Sequence, residues 1–184
     1  MPTVITHALV GVVAGKASIV QKMPVRFWLL SVFCSAFPDA DVIAFDFGIP
    51  YHHLFGHRGF FHSPFFGLLL GLLVVFIFFR SEKIFSRQWW VLFVYFSLLT
   101  ASHGILDAFT DGGLGIALLL PFTTRRFFFP WRPIQVSPIG ISYFLSRWGL
   151  RVLISEFIWI WLPLCLVLVL SMLVRKRNIH IDNG

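Results

Sequence analysis

The chain has 184 residues, 58% of them hydrophobic and 18% aromatic, with only 12% charged, about half the charge of an ordinary soluble domain. This balance excludes a water-soluble globule. It predicts an all-α, polytopic integral membrane protein of one unit, since no Ser/Gly-rich or charge-rich linker divides residues 1–184. Fifteen basic against eight acidic residues leave a net charge of +7, which in an apolar chain reads as contact with lipid headgroups and cytoplasmic loops rather than with nucleic acid.

The first sixteen residues, MPTVITHALVGVVAGK, carry neither a basic leader nor a small-residue cleavage site, so Met1 onward is expected to be mature protein. Apolar runs near 4–20, 26–45, 63–79, 88–108 and 152–174 predict about five transmembrane helices, each close to the ~20 residues that cross a bilayer. The first is interrupted by His7, Lys16 and several glycines; the second holds Pro38-Asp39-Ala40-Asp41 in its C-terminal half. Between runs two and three, PYHHLFGHRGFFHSP gathers four of the seven histidines, His52, His53, His57 and His62. Run four closes on His103-Gly104-Ile105-Leu106-Asp107. A short run, 113–122, cannot span and is expected as a re-entrant or buried half-helix. In 123–151, Arg125, Arg126, Arg132, Arg147 and Arg151 alternate with Phe127, Phe128, Phe129, Trp131, Tyr143 and Trp148, a mixture suited to the membrane interface. Cys34 and Cys165 lie in apolar runs, where thiols pack as small hydrophobes rather than forming disulfides or binding metal.

Ionisable residues within or at the ends of membrane helices are costly, which makes each a functional candidate. Each span reverses the chain's direction. If His7 starts on one face, Asp39 and Asp41 return to it, the loop with His57 and His62 stays there, and run four brings back His103 and Asp107. Taken singly, each group has an ordinary explanation: a hydrogen-bonded buried histidine, a helix cap, or an i, i+4 contact. Together they predict a metal site at one membrane face. His103 and Asp107 share a helix face; Asp39 and Asp41 would point the same way from an extended segment after Pro38; His57 and His62 would meet through a turn at Gly59. Imidazole with carboxylate fits zinc or another first-row divalent metal, one ion or two. His52 and His53 are left at the interface.

Thr6-His7-Ala-Leu-Val-Gly11, Phe37-Pro38-Asp39-Ala-Asp41, His57-Arg58-Gly-Phe-Phe-His62-Ser63, His103-Gly-Ile-Leu-Asp107 and Pro121-Phe122 follow one another in the order found in the YdjM-like family of membrane-bound metal-dependent hydrolases. The chain resembles that family over about two-thirds of its length, and HRGxxHS is the most specific piece. A weaker likeness joins the His/Asp set to the helical zinc phospholipase C and single-strand nuclease group, although the full ligand set of that group has no match here. The family resemblance implies metal-dependent hydrolysis and names no substrate; the weaker likeness adds phosphoester cleavage, and the reading taken from both is a hydrolase using a divalent metal, zinc first, at the membrane surface on a phosphoester, membrane lipid included. His7, Asp39, Asp41, His62, His103 and Asp107 are then the ligand candidates. His57 is a further ligand or an acid/base group, and Arg58 is a phosphate clamp. Ser63 would donate to a ligand or act as nucleophile, and Arg125 and Arg126 would meet substrate.

The alternative is a divalent-metal transporter or a metal-binding membrane protein without hydrolysis, which would need its ionisable groups along a path through the midplane. Lys16, Lys22, Arg26, Arg80, Lys83, Arg87, Arg175, Lys176 and Arg177 fall on the face opposite the histidines, nine basic residues against six. In a bacterial or archaeal cell membrane, that bias predicts a cytoplasmic C-terminus and an extracytoplasmic metal site.

Overall fold

The computed structural model describes residues 1–18 and 22–182, except for the side chains at 141 and 177–182. Positions 19–20 of the expected first span and the Arg177 side chain therefore lie outside the described residues. The α-helices in chain order are α1 (Val4–Ser18), α2 (Val25–Ala36), α3 (Pro64–Phe78), α4 (Arg87–Ala108), the single turn α5 (Ile141–Phe144), α6 (Arg147–Glu156) and α7 (Leu162–Asp182). No strand forms among the described residues. Two isolated bridges, Thr110 with Ile134 and Ile116 with Phe127, fasten the long segment between α4 and α5.

Two helices run on in altered geometry. Beyond Ala36 the chain tightens into a 3₁₀ helix over Phe37–Phe47, with Pro38 in its first turn, and stops at Gly48, whose φ of 71° suits a residue without a Cβ. Beyond Glu156 a π-helical turn, Phe157–Trp161, joins α6 to α7. The rods Val25–Phe47, Arg87–Ala108 and Arg147–Lys176 are long and apolar enough to cross a membrane. At the third expected span α3 has 15 residues, short of the ~20 a crossing needs, and at the first α1 is described over 15 residues, up to Ser18.

Serines start α3 and α4: the Ser63 hydroxyl accepts from the Phe66 N–H at 3.1 Å and the Ser86 hydroxyl from the Trp89 N–H at 3.2 Å. The glycines that interrupt the apolar runs are contact points. A Cβ at Gly71 would lie 2.7 Å from the Ser97 backbone nitrogen, and one at Gly11 would lie 2.6 Å from the Ser31 carbonyl oxygen. Both belong to pairs spaced by four, Gly11 with Gly15 and Gly67 with Gly71, that let membrane helices approach closely. The core between them holds Phe27, Cys34, Leu92 and Phe96, all fully buried. Cys165 is exposed, and neither cysteine is paired.

Segment 113–122 is not helical. Gly113 and Gly115 have φ of 92° and 81°, left-handed values that interrupt a right-handed helix, and Ile116 bridges Phe127 instead. The 123–151 stretch runs mostly irregularly into α5 and α6, with Trp131, Tyr143 and Trp148 exposed.

Candidate metal centre

The first turn of α1 and a short 3₁₀ turn ahead of α3, Phe60–His62, meet the 3₁₀ continuation of α2 and the last turn of α4, and each brings polar side chains to one point. His7, Asp39, Asp41, His57, His62, His103 and Asp107 are all buried, whereas His52 and His53 are exposed. The histidine-rich loop thus divides into an outer pair and an inner pair. Gly59 permits the fold-back between His57 and His62, because a Cβ there would sit 2.1 Å from the Leu54 carbonyl oxygen. Gly104 does the same for the loop on α4: its added Cβ would lie 2.0 Å from the His62 carbonyl oxygen.

Asp39, His62, His103 and Asp107 present their donor atoms to one another closely enough to hold one ion. His103 Nε2 lies 3.1 Å from Asp39 Oδ1 and 3.2 Å from His62 Nε2. His62 Nε2 is 3.5 Å from Asp39 Oδ1 and 3.6 Å from Asp107 Oδ2. The expected shared face of His103 and Asp107 is realised within this group. His7 stacks on His103 with ring centroids 3.7 Å apart, and its Nε2 stands 3.5 Å from Asp107 Oδ1. His103 Nδ1 is 2.8 Å from the Ser35 carbonyl. A carbonyl can only accept, so Nδ1 carries a proton, and Nε2 is the ring nitrogen that faces the cluster.

Asp41 and Asp39 do not point the same way. In a 3₁₀ helix, residues two apart diverge around the axis, because Pro38 sets a helical rather than an extended backbone. Asp41 Oδ1 is 2.6 Å from His57 Nδ1, its Oδ2 is 3.0 Å from His62 Nδ1, and the Arg58 N–H donates to that same Oδ2 at 3.1 Å. Asp41, His57 and His62 form a second group whose atoms could hold an ion. Burial works against a charge on His62, but hydrogen bonding to Asp39 and Asp41 and the nearby carboxylate charges prevail, raising its pKa to about 9. A metal taking its place there must displace that proton.

Several buried ligand atoms in this cluster have no hydrogen-bond partner: His7 Nε2, Asp39 Oδ2 and both oxygens of Asp107, of which Oδ2 is ion-paired with Arg58 Nε at 3.2 Å. Unsatisfied buried carboxylate oxygens are rare and costly. A divalent cation satisfies several of them at once, and the mixed imidazole and carboxylate set is the chemistry zinc and its first-row neighbours accept.

The residues expected to meet substrate are placed differently. Arg58, in left-handed backbone at φ 64°, is almost wholly buried. Its Nη1 donates to the Gly112 carbonyl at 2.6 Å, its Nη2 to the Thr110 hydroxyl at 3.0 Å, and its Nε stands 3.2 Å from Asp107 Oδ2. The planar fork expected to clamp phosphate is committed to the protein. Ser63 is also committed, as the cap of α3, with its hydroxyl donating to the Phe60 carbonyl at 2.7 Å. Arg126 turns inward, donating to the carbonyls of His57 at 2.8 Å, Tyr51 at 2.9 Å and His53 at 3.1 Å, and so staples the histidine loop. Arg125 is exposed.

One residue escaped the reading of the sequence. Glu156 is fully buried; it accepts from the Thr3 N–H at 2.5 Å and from the hydroxyls of Thr3 at 2.7 Å and Thr6 at 2.5 Å. Trp161, on the far side of the π turn, donates from Nε1 to the Thr6 hydroxyl at 2.7 Å. This network fixes the turn of α1 that carries His7. The signal was available: Glu156 is a lone carboxylate inside the most apolar run, which marks a functional candidate by default.

No solved structure matches the chain. It is 44% identical over 166 residues to the inner membrane protein YbcI of Escherichia coli (strain K12), covering 89% of this chain and 92% of that protein. The family model for the YdjM inner membrane protein matches residues 1–179, which takes in every residue of the cluster. The chain belongs to the YdjM inner membrane protein family.

Proposed function

We propose that the protein is a membrane-bound, metal-dependent hydrolase of phosphoesters, with lipid-linked phosphoesters as its first substrates. The observation that carries this reading is the set of buried ligand atoms on His7, Asp39 and Asp107 that lack hydrogen-bond partners and face His62 and His103. Those five residues would hold the ion. A divalent cation there supplies Lewis acidity, lowering the pKa of water and offsetting charge on a phosphoryl oxygen. Asp41 orients the rings of His57 and His62. His57 has its Nδ1 on Asp41 and lines an adjoining cavity, a position from which it can exchange a proton with water or a leaving alcohol. Arg58 neutralises Asp107 and shapes the loop. Hydrolysis adds water across the P–O bond, releasing an alcohol and a phosphoric acid.

In this reading α1 and α3 are further passes beside the three long rods, and the cluster lies at one membrane face. Arg175 supports it by donating from its guanidinium to the carbonyls of Lys16 and Ala17. That contact gathers basic residues of α1 and α7 at the end of the bundle away from His7, which favours a cytoplasmic C-terminus and an extracytoplasmic site. Cysteines replacing His53 and Lys176, in a background without Cys34 and Cys165, check the sidedness. An impermeant thiol reagent on intact cells should label the first and spare the second; the reverse pattern moves the chemistry to the cytoplasm.

Metal analysis of purified protein, combined with a screen of phosphoester and phospholipid substrates, tests the activity. Zinc-dependent turnover is expected. A second reading rests on the closure of the site: structural metal sites are closed, whereas catalytic ones keep an open position, and His7, His62, His103 and Asp107 are each no more than 1% exposed. Bound metal without turnover would select a metal-holding protein, and metal flux into liposomes would select a transporter.

A further inference from the structure

Beside the histidine loop lies a cavity of about 360 Å³, within the range of roughly 300–1,000 Å³ typical of small-molecule sites. Its two walls differ. His57 and Arg58 lie on the inner wall with Tyr51, and each reaches the centre: His57 through Asp41 at 2.6 Å, Arg58 through Asp107 at 3.2 Å. The outer wall is Val136, Ser137, Pro138, Ile139, Tyr143 and Trp148, apolar but for the one serine and the polar tips of the two rings. Three of these also form the outside of the molecule, since Ile139 is 51%, Tyr143 65% and Trp148 46% exposed. Trp148 is held in place by its Nε1, which donates to the Val136 carbonyl at 3.1 Å.

We infer, resting on the hydrolase reading, that this cavity is the substrate pocket and that it takes an amphiphilic phosphoester, headgroup against His57 and chain leaving past Ile139 and Tyr143 into lipid. A water-soluble phosphoester has no need of a mostly apolar outer wall whose Ile139, Tyr143 and Trp148 are also exposed on the outside of the molecule. Tyr and Trp at such a mouth match the headgroup level of a bilayer, where their amphipathic rings settle. A larger groove of about 720 Å³ between α1 and α4 is lined by residues such as Val10, Val94 and Leu98. It lies away from the histidine loop and from Arg58, and ordinary lipid contact accounts for it.

The test uses zinc-loaded protein held in an amphipathic polymer, with two non-hydrolysable probes, dodecylphosphonate and methylphosphonate, titrated calorimetrically. Dodecylphosphonate should bind the parent protein at least tenfold more tightly. The double variant Ile139→Gln/Tyr143→Gln should lose about tenfold for that probe, the scale of a few lost apolar contacts, and change methylphosphonate binding little. Its zinc content should match the parent's, because neither side chain touches the cluster. Equal affinity for the two probes would overturn the amphiphile pocket and leave a hydrolase of soluble phosphoesters. Tight dodecylphosphonate binding that ignores the double substitution would place the chain elsewhere and overturn the assignment of this cavity. Failure of both probes on protein that retains zinc would overturn the pocket and the phosphoester reading together.

Discussion

Helix α4 and the α6–α7 rod both qualify as membrane spans by length and hydropathy, yet 61% of the apolar window in α4 is buried and only 6% of that in Arg147–Lys176. The difference follows from what each helix carries. In α4, Ser97, Thr100, His103, Gly104 and Asp107 are buried among other helices, and each needs a partner or a close contact in a medium that offers no water. In α7, Leu166, Leu170 and Leu173 are at least half exposed, and hydrocarbon solvates them as well as protein does. Apolar length brings a helix to the membrane; its polar interruptions decide where it sits.

Substitutions along the two helices should separate these contributions. The largest effect is expected at Asp107. Asp107→Ala removes the carboxylate that faces His7, His62 and Arg58. Leaving a buried charge unpaired costs about 3–5 kcal/mol, so bound zinc and thermal stability should both fall sharply. Retained stoichiometric zinc in this variant would remove Asp107 from the ligand set. Gly104→Ala comes next. Its added methyl meets the His62 carbonyl, and overpacking of this kind costs about 1–3 kcal/mol. Weaker zinc affinity with an unchanged helix content by circular dichroism is the expected signature, because the His62 loop moves while α4 stays helical.

The site was largely legible because its residues are polar exceptions in an apolar text. His7, Asp39, His62, His103 and Asp107, which the order of the apolar runs groups together, meet in one buried cluster. What could not be read was direction at the scale of one side chain. The divergence of Asp39 and Asp41 depends on 3₁₀ geometry after Pro38, and an extended segment would have aimed them together. Arg58 looked free because Gly112, Thr110 and Asp107, its partners, stand about fifty residues away in the chain. Segment 113–122 looked helical by composition, yet the left-handed glycines at 113 and 115 impose a loop.

Glu156 tests whether the lipid-facing rod has a share in the centre. Glu156→Gln keeps the shape but turns an amide N–H₂ toward groups that already donate, Thr3 and Thr6. A mispaired buried donor costs about 1–3 kcal/mol. Because Thr6 precedes His7, zinc affinity should fall as well, by about 10- to 100-fold if the network supports a ligand in the way outer hydrogen bonds usually do. A stability loss with unaltered zinc affinity would confine Glu156 to holding α1 against α6.

Leu170→Ala should do least. Leu170 is 51% exposed on α7, and the removed methyl groups leave neither a cavity in the core nor an unpaired polar atom. An exposed substitution of this type stays within about 0.5 kcal/mol of the parent, and the loss of one leucine from a span changes insertion by a similar amount. Zinc content, unfolding temperature and membrane insertion should all match the parent protein within error. A marked loss of stability would mean that this face of α7 is covered in the membrane by another protein chain rather than by lipid. The contrast with α4 would then be one between two buried helices, one packed within the chain and one packed between chains. Comparing the variant with the parent by cross-linking in native membranes would show which holds: an oligomer that shortens or disappears on Leu170→Ala identifies a protein neighbour, and an unchanged pattern leaves lipid as the solvent of α7.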